Sequence, residues 1–198
     1  MNKKLVLLTV MVFAFGAVFA SCAGMQVKPT AANFKMPTVT LGSFEVPEYD
    51  GYWYYGGKIK PTKGEAGDRG APLPMSFVFD VQNPNPYPVL LEGITFTVAF
   101  DNDFQLVTLS NTDSHWIPAG KTNQVRIDTM ITVRSALLNL LVTSGYKLKE
   151  HGWSAWDALE RWWKGVPDYS VPVKVTEGAF TFKADGLLKV LPFEGAVK

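Results

Sequence analysis

The sequence contains few of the residues that build catalytic and metal centres. It has one cysteine and two histidines, His115 and His151, among 198 residues. Their spacing to acidic residues is not typical of a zinc site, and Asp101-Asn102-Asp103 lacks the glycine and the distal glutamate of a calcium loop. Phosphate-binding glycine loops, dinucleotide fingerprints and nucleophile elbows are also absent. We therefore expect no catalytic residues, no metal, no cofactor and no enzymatic activity. A hydrolase with an unrecognised site is the remote alternative.

A surplus of charge of either sign is missing too. Lys and Arg total 19, Asp and Glu total 18, and the basic residues are spread along the chain. Binding to nucleic acid depends on concentrated positive charge that neutralises phosphates. We therefore expect no nucleic-acid partner. The single cysteine, Cys22, also excludes an intrachain disulfide.

One long apolar run is present, at the N-terminus. Two lysines precede Leu5–Ala20, which is apolar apart from a threonine and a glycine. A run of roughly 16 residues suits the core of a signal peptide and is shorter than the ~20 residues that span a bilayer. Small residues, Ala20 and Ser21, then stand directly before Cys22. This order of features predicts an export signal over residues 1–21.

The segment ending at Cys22 resembles the bacterial lipobox, with Phe19 where that motif usually has leucine. The resemblance implies that Cys22 forms a thioether with diacylglycerol and becomes the first residue of the mature chain. We expect a tether over residues 22–33 and an exported, membrane-anchored lipoprotein of the cell envelope. By resemblance to Gram-negative sorting signals, Ala23 favours the outer membrane over the inner one. The alternative is an ordinary signal peptide cut near Ala20 or Ala23, which would leave a free thiol.

From residue 34 onward the chain mostly alternates apolar and polar residues, as half-buried strands do. The high aromatic, glycine and proline content fits the same fold class, a mainly β domain over residues 34–198. The predicted strands are Thr38–Val46, Met75–Val81, Ile94–Phe100, Phe104–Leu109, Val125–Val133, Tyr169–Val175 and Ala179–Lys183, with Leu187–Phe193 as an edge strand.

Two segments interrupt the alternation. Residues 49–74 begin with the aromatic cluster Tyr52–Tyr55 and continue through a stretch rich in glycine, lysine and proline. We interpret this insertion as a hairpin or long loop packed at a sheet edge, with a binding surface as the alternative. Residues 135–164 are predicted to form two helices, the first capped by Ser135 and ended by Gly145.

The second predicted helix covers residues 154–164. Trp156, Leu159 and Trp163 fall at helical spacing on one face, and charges of both signs lie on the other. A mixed polar face is typical of a helix that covers a core, because helices that bind bilayers are usually rich in Lys and Arg. We therefore expect Trp156 and Trp163 to be buried against strands and Trp162 to be the most exposed.

The run Asn83-Pro84-Asn85-Pro86 follows directly after a predicted strand. Each proline holds the residue before it in an extended conformation and withholds an N–H group from strand pairing. Asparagine side chains bond to nearby backbone groups and tolerate turn dihedrals. The run therefore predicts a fixed bend between two strands.

This run and a later Ile117-Pro118-Ala119-Gly120 turn before a long alternating strand resemble the water stress and hypersensitive response domain, shared by the group-2 late embryogenesis abundant proteins. A helix and an Asp168-Tyr169 entry into the closing strands complete the ordered set. The resemblance implies an antiparallel β-sandwich of the fibronectin type III/immunoglobulin type with one helical excursion. It also implies no known enzymatic activity and a link with stress.

Two functions follow from these features. The first is a non-enzymatic, lipid-anchored envelope protein that protects membranes or neighbouring proteins during stress, with a lipid or protein client. The alternative is a module that binds lipid or another apolar ligand in a groove of the sandwich, lined by Phe96, Val98 and Trp156. A continuous apolar groove between the sheets would favour the second function, and a filled core would favour the first.

Overall fold

The structure is a computed structural model that describes residues 27–48 and 71–197. The predicted signal peptide, Cys22 and most of the 49–74 insertion lie outside the described residues. The described strands are β1 Thr38–Glu45, β2 Pro72–Gln82, β3 Val89–Phe100, β4 Phe104–Asn111, β5 His115–Ile117, β6 Thr122–Thr132, β7 Val173–Ala184 and β8 Leu187–Ala196. The helical excursion between β6 and β7 consists of α1 Val133–Asn139, a π-helical turn Leu140–Ser144, α2 Gly145–His151 and α3 Ala155–Gly165.

The strands form two antiparallel sheets. One sheet has the order β1-β2-β6, and the other has the order β4-β3-β7-β8, with β5 paired to the first residues of β3. Within residues 71–197, strand follows strand except between β6 and β7, where the helices lie. The predicted fold class, a mainly β antiparallel sandwich with one helical excursion, is confirmed.

Phenylalanine rings fill the space between the sheets. Phe79 of β2 contacts Phe96 of β3, Phe180 of β7 and Phe193 of β8 in edge-to-face geometry, with ring centroids 5.5, 5.1 and 5.6 Å away, respectively. These rings meet because alternate residues of each strand point to the same side of its sheet. Pairs of this geometry each add about 0.5–1.5 kcal/mol beyond the burial of their area.

The register of the sheets defines two ends of the sandwich. Gln82 pairs with Thr38, whereas Pro72, at the other end of β2, pairs with Thr132 just before α1. We call the first the motif end, because the Asn83–Pro88 turn lies there, and the second the helical end. The 11 residues of β2 separate the two ends, which corresponds to roughly 35 Å.

The helical excursion differs from the prediction at its start and in its middle. Thr132 is the N-cap of α1, and Ser135 is its reciprocal partner in a capping box rather than the cap itself. Gly145 does not end the helix, because its φ of −59° is helical and the π turn before it continues into α2. The left-handed residue that ends a helix is Gly152, with φ of 69°. Ser154 is the N-cap of α3, so the helix begins one residue after the predicted start.

The buried face of α3 is rotated relative to the predicted one. Trp163 is buried as expected, but Trp162 is 0% exposed and Trp156 is 40% exposed, so those two expectations are wrong. The reason lies in the turn between β3 and β4, where the Asp101 carboxylate accepts a hydrogen bond from the indole N–H of Trp162 at 2.8 Å. Phe104 packs against the same indole, with centroids 5.2 Å apart. The hydrophobic pattern of α3 alone cannot predict these contacts, because Asp101 and Phe104 belong to another part of the chain.

Several strand assignments also differ. β3 begins at Val89 rather than Ile94, and β6 begins at Thr122 rather than Val125. β2 begins at Pro72 rather than Met75, because its pairing with β1 stops at Ser76 and its first prolines need no partner on that side. The insertion predicted to reach residue 74 therefore ends before β2. The two strands predicted at 169–175 and 179–183 are a single strand, β7, which continues through an irregularity between Val175 and Gly178. The short β5 was not predicted, since three residues are too few to show an alternation.

Candidate functional site

The two sequence motifs meet at the motif end through one side chain. The buried amide of Asn83 donates toward three backbone carbonyl oxygens, those of Tyr87 at 2.8 Å, Ile117 at 3.1 Å and Pro118 at 3.2 Å. The backbone N–H of Asn83 donates to the carbonyl of Lys121 at 2.9 Å. One asparagine therefore holds its own turn against the turn that precedes β6.

Asn85 extends this contact to the N-terminal segment. Its side-chain N–H donates to the Lys35 carbonyl at 2.8 Å, and its side-chain oxygen accepts from the Lys35 N–H, also at 2.8 Å. The Asn85 carbonyl accepts from the N–H of Gly120 at 3.0 Å. Asn83 Oδ1 accepts from the backbone and the side chain of Asn85. We call Asn83, Asn85 and the backbone groups that they bind the asparagine joint.

The other motif residues shape the asparagine joint without adding side-chain polar groups to it. Pro84, Pro86 and Pro118 are exposed, and Ala119 is half-buried. Gly120 has a φ of 63°, a left-handed conformation that glycine adopts without strain. Because the two asparagine side chains are buried and bonded to the protein itself, the geometry is that of a structural connection between segments.

Tyr87 ties the start of the described chain to the same end. Its hydroxyl donates to Asn33 Oδ1 at 2.9 Å, and the Asn33 side-chain amide donates to the carbonyl of Lys28 at 3.0 Å. Burial raises the pKa of Tyr87 above its ordinary value, so the hydroxyl stays protonated and remains a donor. Residues 28–34 are thereby held at the motif end.

The structure does not bring together the three residues expected to line an apolar groove. Phe96 and Val98 are buried in the core, whereas Trp156 is partly exposed on α3 at the helical end. The phenylalanine rings described above occupy the space between the sheets. Phe96, Val98 and Trp156 therefore line no common groove.

A crevice of about 420 Å³ lies outside the sandwich, between β4 and the helical excursion. Its lining residues are mostly polar, namely Thr97, Gln105, Leu106, Val107, Thr108, Asn139 and Thr143. Asn139 Nδ2 donates to the Leu106 carbonyl at 2.6 Å, and the hydroxyl oxygens of Thr97 and Thr108 lie 2.9 Å apart. These groups form hydrogen bonds within the protein. A ligand in the crevice would contact hydroxyl and amide groups rather than a continuous apolar surface.

At the helical end, Asp101 connects α3 to the β3–β4 turn. Arg161 donates two hydrogen bonds of 2.9 Å to its carboxylate, beside the one from Trp162. The hydrogen bond to Asp101 raises the pKa of Arg161. Residues 101–103 form a turn in which Asp101 and Asn102 have positive φ. No local pattern links Asp101 to residue 161, so sequence reasoning missed its packing role.

The two histidines lie at opposite ends of the sandwich and cannot serve one site. His115 is on β5 at the motif end, and His151 ends α2, with its Nε2 3.6 Å from a carboxylate oxygen of Asp103. Within residues 27–48 and 71–197, no group of three or more His, Cys, Asp or Glu side chains is placed to hold a metal ion. The helices within those same ranges are all too short or too polar to cross a membrane.

Fold and site together define an antiparallel β-sandwich that is joined by buried asparagines at one end and covered by helices at the other. No protein-family model matches the chain, and no curated protein matches it either. The chain is similar to several solved structures, of which three are described. A protein from Archaeoglobus fulgidus is 9% identical, with 82% of this chain and 92% of that chain covered and a TM-score of 0.40.

The candidate ApaA protein from Bordetella pertussis is also 9% identical, with 86% of this chain and 95% of that chain covered and a TM-score of 0.44. A candidate late embryogenesis abundant protein, solved in solution, is 12% identical, with 99% of this chain and 85% of that chain covered and a TM-score of 0.41. Similarity at this level assigns no activity to the chain.

Proposed function

We propose that the chain is a non-enzymatic, lipid-anchored protein of the cell envelope that stabilises membranes or neighbouring proteins under stress. The observation that supports this proposal best is the filled core. Phe79 contacts Phe96 and Phe180 in the space that a carried lipid would occupy. A carrier of apolar ligands needs an internal groove, whereas a protein that acts through its exterior needs only a stable body.

The use of polar groups supports the same proposal. The side-chain amides of Asn83 and Asn85, the distinctive residues of the motif, donate hydrogen bonds to backbone carbonyls within the protein. The Asp101 carboxylate is engaged by Arg161 and Trp162. These groups therefore hold segments together, and their geometry suits a stabilising protein better than an enzyme.

Lipid attachment at Cys22 is the second part of the proposal. It is supported by the apolar run and the small residues before Cys22. Two or more acyl chains anchor a protein stably, whereas one chain gives only marginal binding. Five residues lie between Cys22 and Lys28, which is held at the motif end, and the six Cα–Cα steps reach at most about 21 Å. The sandwich would thus stay close to its membrane, which we propose to be the outer membrane.

The proposed activity can be tested with acylated protein in phospholipid vesicles that contain a trapped dye and carry a heat-sensitive enzyme on their surface. We expect the protein to reduce dye leakage after drying, or loss of enzyme activity after heating. The Cys22→Ser protein at the same concentration should protect less, because it is not held at the membrane. Equal damage with and without the acylated protein in both assays would contradict the proposal.

Native mass spectrometry separates this function from the apolar-ligand alternative. Protein extracted under mild conditions should carry no lipid beyond the covalent acyl chains. A stoichiometric, non-covalent lipid that survives purification would favour the binding module and count against the stabilising function.

A further inference from the structure

The exposed large apolar side chains of the described residues form two groups, one at each end of the sandwich. The helical-end group consists of Met130, Leu138, Leu141, Val142, Tyr146, Trp156 and Tyr169. The motif-end group consists of Val27, Trp116, Leu188 and Val190. The second group is the smaller one, but Trp116, Leu188 and Val190 lie on strands, and Val27 belongs to the segment that leads toward the proposed anchor.

Strand register places three residues of the motif-end group on one face. Trp116 pairs with Leu90, Leu90 pairs with Lys183, and Lys183 pairs with Leu188. Directly paired residues project from the same side of a sheet, and Val190 follows Leu188 at the strand period of two. Trp116, Leu188 and Val190 are 60%, 59% and 56% exposed, so they lie on the outer face. We call these three residues the anchor-side patch.

The anchor-side patch lies at the same end of the sandwich as the segment that leads toward Cys22. Lys189, between Leu188 and Val190 in sequence, projects from the opposite face of β8, where its Nζ donates to the carbonyl of Phe34 at 2.6 Å. Lys28 is held nearby through Asn33. The chain from Cys22 to Lys28 reaches at most about 21 Å, whereas the helical end lies roughly 35 Å farther along the strands. An acyl anchor at Cys22 therefore holds a bilayer within reach of this patch.

We propose that the anchor-side patch lies on the phospholipid bilayer that holds the acyl chains of Cys22. This inference rests on the lipid anchoring proposed above and adds an orientation. The outer face of the sheet contacts the membrane at the motif end, and the helical end is tilted away from the membrane. Trp116 suits the headgroup region, where its ring is in an apolar environment and its N–H stays hydrated.

The position of the patch favours a bilayer over a soluble protein as its occupant. The short tether keeps the bilayer at a high effective concentration next to this face. A soluble partner would have to enter the narrow space between the patch and the membrane. The helical-end group lies beyond that space, so its residues provide internal controls.

Single-cysteine labelling in the acylated protein tests the orientation. Cys22 is the only cysteine of the sequence, and its sulfur is blocked once it carries diacylglycerol, so an introduced thiol reports on one place. Leu188→Cys and Met130→Cys are a matched pair, because both native side chains are 59% exposed and lie on strands. Each variant is labelled with an environment-sensitive dye and reconstituted in vesicles of phosphatidylethanolamine and phosphatidylglycerol. Emission and quenching by aqueous iodide are then measured.

We expect the label at position 188 to shift to the blue and to be quenched severalfold less than the label at position 130. Val190→Cys should repeat the result for position 188, and unchanged melting curves establish that the variants are folded. If the protein floats with the vesicles but both labels are quenched equally, or if position 130 is the protected one, the orientation is overturned while the anchoring stands. If the protein does not float with the vesicles at all, the anchoring fails and this inference fails with it.

Discussion

The side-chain nitrogen of Asn83 lies 3.1 Å from the carbonyl oxygen of Ile117, a residue 34 positions later in the chain. The same amide also reaches the carbonyl oxygens of Tyr87 and Pro118. The asparagine–proline turn is therefore not held by its prolines alone. Its stability depends on a second segment, which the local chemistry of the turn does not reveal.

Replacing Asn83 by alanine should lower the free energy of unfolding by about 1–3 kcal/mol, since it leaves buried carbonyl oxygens without a donor. Urea unfolding followed by circular dichroism measures this change. Asn123→Ala is the matched control, because its amide reaches one carbonyl, that of Trp116, from an exposed position. We expect that control to stay within about 0.5 kcal/mol of the parent protein. Equal losses for the two variants would contradict the stabilising role of the asparagine joint.

Truncation of Trp162 should destabilise the protein more than truncation of Trp156. The sequence pattern predicts the reverse, because it places Trp156 in the core and Trp162 at the surface. Trp162→Ala removes a fully buried indole and should cost about 3–5 kcal/mol. Trp156→Ala removes a partly exposed side chain and should cost no more than about 0.5 kcal/mol. Guanidinium unfolding curves of the two variants decide the matter, and a larger loss for Trp156→Ala would contradict the packing of α3 described above.

Two substitutions at Asp101 should separate its ion pair from its contact with the buried indole. Asp101→Asn keeps an oxygen that can accept from Trp162, and asparagine tolerates positive φ. Its cost should reflect the ion pair with the half-exposed Arg161, up to about 1 kcal/mol. Asp101→Ala leaves the indole N–H unpaired, which should cost about 1–3 kcal/mol more, and it adds strain because alanine disfavours the φ of 46° at this position. If the two variants have the same melting temperature, the indole contact does not stabilise the fold.

The start of α3 predicts a dependence of stability on pH. The side chain and the backbone N–H of Ser154 lower the pKa of Asp157 below its ordinary value. The folded state therefore favours the carboxylate, so this contribution is present above the unfolded pKa and is lost as pH falls through the folded pKa. The melting temperature of Asp157→Asn should lie below that of the parent protein at neutral pH, and the difference should close in strongly acidic buffer.

The same comparison in a Ser154→Ala background is the control for that prediction. Without the Ser154 hydroxyl, the effect of Asp157→Asn should become smaller at neutral pH. A difference between parent and variant that is independent of pH would contradict the capping role of the Asp157 carboxylate.

The strands were predictable because burial on one face imposes a period of two, as in β6, where Val125, Ile127 and Ile131 are buried. The bend at Asn83 was predictable from turn chemistry. The partner of Asn83 was not, because the contact with Ile117 depends on how distant strands are ordered in the sheets. Sequence patterns carry local preferences, and this joint is a long-range contact.

The error at α3 has the same origin. Tryptophans at positions 156, 162 and 163 give the helix aromatic residues on more than one side, so its hydrophobic pattern is compatible with more than one rotation. The rotation is decided by Asp101 and Phe104, which lie on another element and contact Trp162. The wrong prediction at Gly145 has a related cause. A glycine marks the end of a helix only where the chain adopts a left-handed conformation, and the sequence does not show which glycine does so.

The central claim, a sandwich held at a membrane by lipid on Cys22, is tested most directly by the intact mass of the protein extracted from membranes. We expect a mature chain that begins at Cys22 and carries diacylglycerol on its sulfur, and we expect the Cys22→Ser protein to be absent from washed membranes. A mature chain with an unmodified thiol, or one that begins after Cys22, would contradict the account.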